Sequence, residues 1–232
     1  MTFAALDRIS LADHAAALSQ DKALWVFQHI PKTAGTSLSE ELGQYMAPYR
    51  NIFVDYDDVE TPFVHRLTDS VDRFLADQRR VDYRSCSGHL TYDLVARIRL
   101  ARPDAKVVTF LRNPVDRVIS DYRYQCSPLH PGNEAFRAQF PVIEDYIAAK
   151  ASQNKMAFMV WGAHEIPSAA ALIAHAKREF AFIGLVEMYA LSFSVMMTAM
   201  GQPQAQPRAH ARKTPDTEAT RNTVPEQFRS EL

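Results

Sequence analysis

The stretch Trp25 to Leu38, WVFQHIPKTAGTSL, decides how this chain folds. From Leu24 to Ile30 every residue except Gln28 and His29 is apolar or aromatic, the composition of a strand covered on both faces. Pro31 holds Ile30 extended and ends the strand. Lys32 then supplies a cation, Ala34 and Gly35 let the backbone turn tightly, and Thr36 and Ser37 bring hydroxyls to a helix start. The first N–H groups of a helix have no partner inside it and point outward, where they favour an anion. Lys32 comes before the glycine, so the GxxxxGK[ST] order of nucleoside-triphosphate loops is absent. Ser37 and Glu40 also satisfy a capping box, a motif that requires neither Lys32 nor Thr33.

A second stretch, Lys106 to Tyr124, KVVTFLRNPVDRVISDYRY, has the same strand–turn–helix order. Val107, Val108, Phe110 and Leu111 form the strand; Asn113 is placed to cap the helix, Pro114 takes its first position and Asp116 adds charge to its first turn. Val115, Val118, Ile119 and Tyr122 make the inward stripe. Arg112 falls at the carboxyl end of the strand, where open α/β sheets bind ligands. Ser120 sits two turns into the helix.

PKTAGTS behind an apolar strand resembles the 5′-phosphosulfate loop of the sulfotransferases that use 3′-phosphoadenosine 5′-phosphosulfate, and the second stretch resembles their 3′-phosphate motif. The resemblance implies that Lys32, Thr33, Ala34, Gly35, Thr36 and Ser37 hold the 5′ end of that donor and that Arg112 and Ser120 grip its 3′-phosphate. SCSGHLTYDL, Ser85 to Leu94, resembles the Gly-His segment of the heparan sulfate and dermatan sulfate uronosyl 2-O-sulfotransferases, which makes His89 the implied catalytic base. Those relatives carry a second His just before the Gly; Ser87 stands there in this chain, so the base is expected to act alone. Phe180 to Gly201 resembles their late strand and helix, and His210 to Pro225, HARKTPDTEATRNTVP, their Arg-Lys-Thr segment, which implies cofactor contacts at Arg212, Lys213 and Thr214.

The resemblance thus implies a bacterial member of this family: a single P-loop-like α/β domain with a central, mainly parallel sheet flanked by helices. It would move a sulfuryl group from the donor to a carbohydrate hydroxyl, such as that of a uronic acid, by in-line displacement. Lys32 would stabilise the leaving oxygens and His89 would take the acceptor proton, with no metal required. Two other readings stay open, a nucleotide kinase of similar fold and a non-catalytic nucleotide-binding protein. The absent GK[ST] order and the lack of a Mg-binding Asp after a strand count against the kinase.

Length and composition bound these expectations. A chain of 232 residues, 47% hydrophobic and 23% charged, suits one α/β domain with a sizeable core. A net charge of −1 speaks against a non-specific nucleic-acid binder. Cys86 and Cys126 make no disulfide framework and read as reduced thiols. With neither a signal peptide nor an apolar run of spanning length, the chain is expected in the cytoplasm.

Along the chain, helices are expected over 7–20, 36–47, 64–79, 133–149, 151–161, 168–179 and 188–200. Strands beyond the two motifs are expected at 51–54, 83–87 and 181–185. The acidic run Asp55 to Glu60 reads as a solvated turn, with Asp58 and Glu60 as substitute bases should His89 point away. Residues 1–200 form the domain, and 201–232, interrupted by Pro203, Pro207, Pro215 and Pro225, form an irregular segment that can serve as a cofactor lid.

Overall fold

The apolar run around Val26 becomes the central strand of a five-stranded sheet in the computed structural model, which describes residues 2–19, 22–54, 58, 60–163, 165 and 167–207. The strands are β1 Trp25–Gln28, β2 Tyr49–Ile52, β3 Ser85–Gly88, β4 Lys106–Leu111 and β5 Phe182–Leu185. They run in the order β2-β3-β1-β4-β5, and every neighbouring pair is parallel. Burial on both faces explains why β1 and β4 read as nearly continuous apolar runs. Trp25, Phe27, Val108 and Phe110 face one core, while Val26 and Val107 face the other.

Helices fill both faces. α1 Leu11–Ser19, α2 Gly35–Tyr45 and, at the end of the described chain, α10 Tyr189–Ala199 bury Leu18, Leu42 and Phe193 against one side. α3 Phe63–Asp77 and α4 Tyr92–Ala101 bury Phe74 and Ile98 against the other. α5 Pro114–Cys126 packs on the short helices α6 Asn133–Gln139 and α7 Ile143–Ala148 through Ile119, Tyr122 and Tyr146, a satellite core beside the sheet. α8 Lys155–Trp161 and α9 Ala169–Glu179 complete the α3/α4 face.

The connection from β1 goes one way across the sheet and the connection into β4 goes the other. This reversal between neighbouring strands is where a doubly wound sheet opens a crevice at its carboxyl edge. Both strand–turn–helix motifs leave the sheet there.

Element boundaries differ from expectation in ways with local causes. The helix expected over 133–149 is two helices, because Pro141 cannot continue the first and opens the turn before the second. The helix expected over 7–20 starts at Leu11, behind a 3₁₀ turn over Phe3–Asp7. α4 was not anticipated; Asp93, Arg97 and Arg99 alternate with its buried positions Leu94, Val95 and Ile98 and break the apolar run. Residues 201–207 form neither helix nor strand, although Ala205 is buried. No helix among the described residues is long and apolar enough to cross a membrane.

Candidate active site

Two left-handed residues build the loop after β1: Lys32 at φ 72° and Ala34 at φ 63°. Each costs an L-residue about 1–2 kcal/mol relative to right-handed backbone. The tight turn was expected to come from Ala34 and Gly35, but Gly35 does not use a positive φ. It is glycine because the His29 ring lies against it, and an added Cβ would fall 1.8 Å from His29 Cδ2. α2 begins at Gly35 with Ala34 as its N-cap and no side chain bonded to the cap, so the expected Ser37–Glu40 capping box does not form.

Within this loop the residues divide. Thr33 is fully buried and its Oγ1 donates to the Ile30 carbonyl at 2.8 Å, so its hydroxyl braces the turn instead of facing the helix mouth. Thr36 lines the adjoining cavity, and Ser37 is buried in the first turn of α2. The Lys32 ammonium lies 4.2 Å from the centre of the Tyr124 ring, a cation–π contact. Burial holds its pKa below the usual lysine range, with Asp121 opposing that shift and Arg112 and Arg117 adding to it.

The second motif meets the first across the crevice. Asn113 caps α5 as anticipated, its Oδ1 accepting from the Val115 and Asp116 N–H groups at 2.9 and 3.3 Å. The Asn113 N–H donates to Glu187 at 2.6 Å, which ties this turn to the end of β5. Arg112 Nη1 donates to the Lys32 carbonyl at 3.3 Å. Ser120 is half-buried on α5. The groups expected to meet the 5′ and 3′ ends of one nucleotide are therefore neighbours, although 80 residues separate Arg112 from Lys32.

His89 follows β3 into a cavity of about 1120 Å³ that Thr36, Tyr49, Asp121 and Tyr124 also line. Its Nδ1 lies 2.9 Å from the His29 carbonyl. A carbonyl only accepts, so Nδ1 carries the proton and Nε2 of the neutral ring keeps a free lone pair. Burial lowers the His89 pKa, against an opposing pull from the His29 carbonyl bond and from Asp121.

Beyond what the sequence suggested, the structure gives His89 a second imidazole as neighbour. The His29 ring lies against His89 with centroids 4.1 Å apart and planes tilted by 31°, and Phe27 stacks on the other side of His29. Burial first, then His89 and Lys32, depress the His29 pKa well below the ordinary imidazole value. Ser87 does not touch this pair. Its Oγ lies 2.6 Å from Tyr49 Oη and 2.9 Å from Ser39 Oγ, two hydroxyls of the cavity wall.

Asp58 and Glu60 do not line the cavity. The Asp58 carboxylate accepts from the Glu60 and Thr61 N–H groups within its own turn, the solvated-turn arrangement. Asp55 and Asp57 of the same run lie outside the described residues, as do Arg212, Lys213 and Thr214. Cys86 and Cys126 are buried and unpaired, and burial pushes the Cys86 thiol far up, which makes it a poor nucleophile.

Sequence reasoning missed the far wall. Asp121 accepts from Arg117 Nη1 at 3.0 Å, Lys155 Nζ at 2.9 Å and Tyr146 Oη at 2.8 Å. Its carboxyl stays below the usual range because Lys155 and Arg117 outweigh the cost of burial. The one available signal was a carboxylate between the buried Ile119 and Tyr122, on the inward side of α5.

A model of the sulfotransferase domain family matches residues 13–162. None of the curated proteins matches the chain. Among solved structures, a sulfotransferase from Alicyclobacillus acidocaldarius is 18% identical with a TM-score of 0.47, covering 89% of this chain and 88% of its own. Mouse sulfotransferase SULT7A1, solved with PAP, is 12% identical with a TM-score of 0.43, covering 93% and 85%.

Proposed function

The chain belongs to the sulfotransferase domain family, and from that premise we propose that it moves a sulfuryl group from 3′-phosphoadenosine 5′-phosphosulfate to a carbohydrate hydroxyl, in the manner of the uronosyl 2-O-sulfotransferases. The observation that carries this reading is the contact of Arg112 with the Lys32 carbonyl at the crevice, beside the cavity that holds His89. One side offers cationic and N–H groups for a doubly phosphorylated nucleotide, and the other offers a base facing space for an acceptor.

In this reading the open first turn of α2, from Gly35 to Ser37, and the loop at Lys32 to Ala34 bind the 5′ end of the donor. Arg112 and Ser120 bind its 3′-phosphate, Arg112 through charge-assisted hydrogen bonds. The acceptor hydroxyl gives its proton to His89 Nε2 as its oxygen attacks sulfur in line. The S–O bond to the 5′-phosphate breaks, and Lys32 stabilises the charge that collects on the leaving oxygen. Positioning and fixed charge supply most of the catalysis, by analogy with phosphoryl transfer. Phe53 and Phe63, exposed where they line the same cavity, offer flat faces to a sugar ring. Segment 201–232 acts as a lid, with Arg212, Lys213 and Thr214 completing the donor site.

Titration calorimetry with 3′-phosphoadenosine 5′-phosphate and with AMP tests the donor half. The 3′-phosphate should raise affinity about ten- to a hundredfold, the value of charged hydrogen bonds at about 1.5–3 kcal/mol; equal affinities would remove Arg112 and Ser120 from the assignment. Radiolabelled donor incubated with a panel of glycans tests the acceptor half. Tight nucleotide binding without any labelled product would favour a non-catalytic nucleotide-binding protein.

A further inference from the structure

A second cavity of about 650 Å³ lies on the α8/α9 side of the sheet. Nothing in the transfer reaction described above uses it. Val115, Val118, Met156, Leu172, Ile173 and Ile183 make it mainly apolar. Arg117 and Lys155 are the charged side chains in its lining, and among the described residues no carboxylate lines it. Both cations are drawn to the same oxygen, Asp121 Oδ2, at 3.0 and 2.9 Å, and the Tyr146 hydroxyl donates to it as well. Arg117 is only 3% exposed. Two cations thus share one carboxylate beside an apolar chamber, and the cluster keeps one positive charge in excess. A charge in such surroundings is stabilised by a further anion.

Apolar walls with an excess cation at one side match a molecule with a hydrocarbon body and a single anionic head. We propose that this cavity binds an amphipathic monoanion, a medium-chain carboxylate or alkyl sulfate, with its head on Arg117 and Lys155. Such a ligand reaches the catalytic cavity through one shared wall. Lys155 and Gln153 line both cavities, while Asp121 lines the catalytic one. A head group that competes with Asp121 for its cations reshapes the side of the acceptor cavity facing His89. This coupling rests on the sulfotransferase reading; the binding does not.

The test titrates decanoate, decyl sulfate and decanol into the full chain without nucleotide, by calorimetry and by the ¹³C-methyl resonance of Met156. Both anions should bind at least tenfold more tightly than decanol and shift Met156, and the tighter of the two identifies the preferred head group. Ile173 is 58% exposed, so Ile173→Glu tolerates its new charge in the fold while setting a carboxylate against the ligand. It should weaken decanoate at least tenfold, with the melting temperature and sulfuryl transfer in the absence of decanoate unchanged. Equal binding of decanol and decanoate, a stationary Met156 signal, or wild-type affinity in Ile173→Glu would each overturn the site. Saturating decanoate should alter the acceptor KM and not the donor KM. Unaltered acceptor kinetics with binding intact would overturn the coupling, and absence of any sulfuryl transfer would fail the function while leaving the binding result standing.

Discussion

His89 presents Nε2 to the cavity because the His29 carbonyl occupies Nδ1. His89→Ala should leave nucleotide affinity near wild type and lower turnover about 10²–10⁴-fold, the usual worth of a positioned base. Burial places the His89 pKa below the ordinary 6.5, so the neutral, competent form persists to lower pH. The acid limb of kcat/KM should therefore have its midpoint below pH 6.5, and a midpoint above that value would point to another base. Lys32→Ala should lower turnover more than donor affinity, because its contact strengthens as the leaving oxygen gains charge. A rise in donor KM with turnover untouched would make Lys32 a ground-state anchor. Ser87→Ala removes the partner shared by Tyr49 and Ser39. It should cost stability on the order of 1–3 kcal/mol, read by denaturant unfolding, and spare proton transfer, since Ser87 does not reach the histidines.

At the scale of elements, the mouth of α2 and the cap of α5 frame the proposed donor site. Gly35→Ala drives a methyl into the His29 ring, so either the loop or the ring must move. Overpacking of this kind costs about 1–3 kcal/mol, and calorimetry should show weaker nucleotide binding together with a lower melting temperature. Ala34→Gly works in the opposite sense. It relieves a left-handed alanine and should hold or slightly raise thermal stability, a result that would be inverted if Ala34 were right-handed. Asn113→Ala removes the acceptor of two α5 N–H groups and should cost about 1 kcal/mol.

For the whole molecule, acid should act in two stages. His29 and His89 have depressed pKa values, so just below pH 6.5 the unfolded chain binds protons that the folded chain refuses. The unfolded state then holds more protons, and stability falls as the pH falls until the folded-state pKa values are passed. Asp121 has a depressed pKa as well, so a second loss begins below about pH 4, as its carboxylate is protonated first in the unfolded chain. Thermal unfolding across pH 3–8 should show both declines. His29→Phe keeps a ring at that place and should reduce the first one, leaving the parts due to His89 and His130, whereas an unchanged slope would assign it to those two alone.

The sequence by itself determined the sheet-forming runs, the two strand–turn–helix motifs and the order in which they occur. These depend on interactions between near neighbours: Pro31 ends a strand, Asn113 caps a helix, and an apolar run such as KVVTFL has no stable place except between two layers. Only the tertiary structure decided which residues meet. His29 sits one residue past β1 and His89 one past β3, and the parallel pairing of those strands in register, Gln28 beside Gly88, is what brings the rings together. Asp121 could not be read as a wall of the cavity, because its cation partner Lys155 arrives from a helix 34 residues onward. Gly35 looked like the flexible point of a turn, yet the ring of His29 demands it. Long-range contacts of this kind leave no periodic trace in the chain, since they arise from strand order and helix packing.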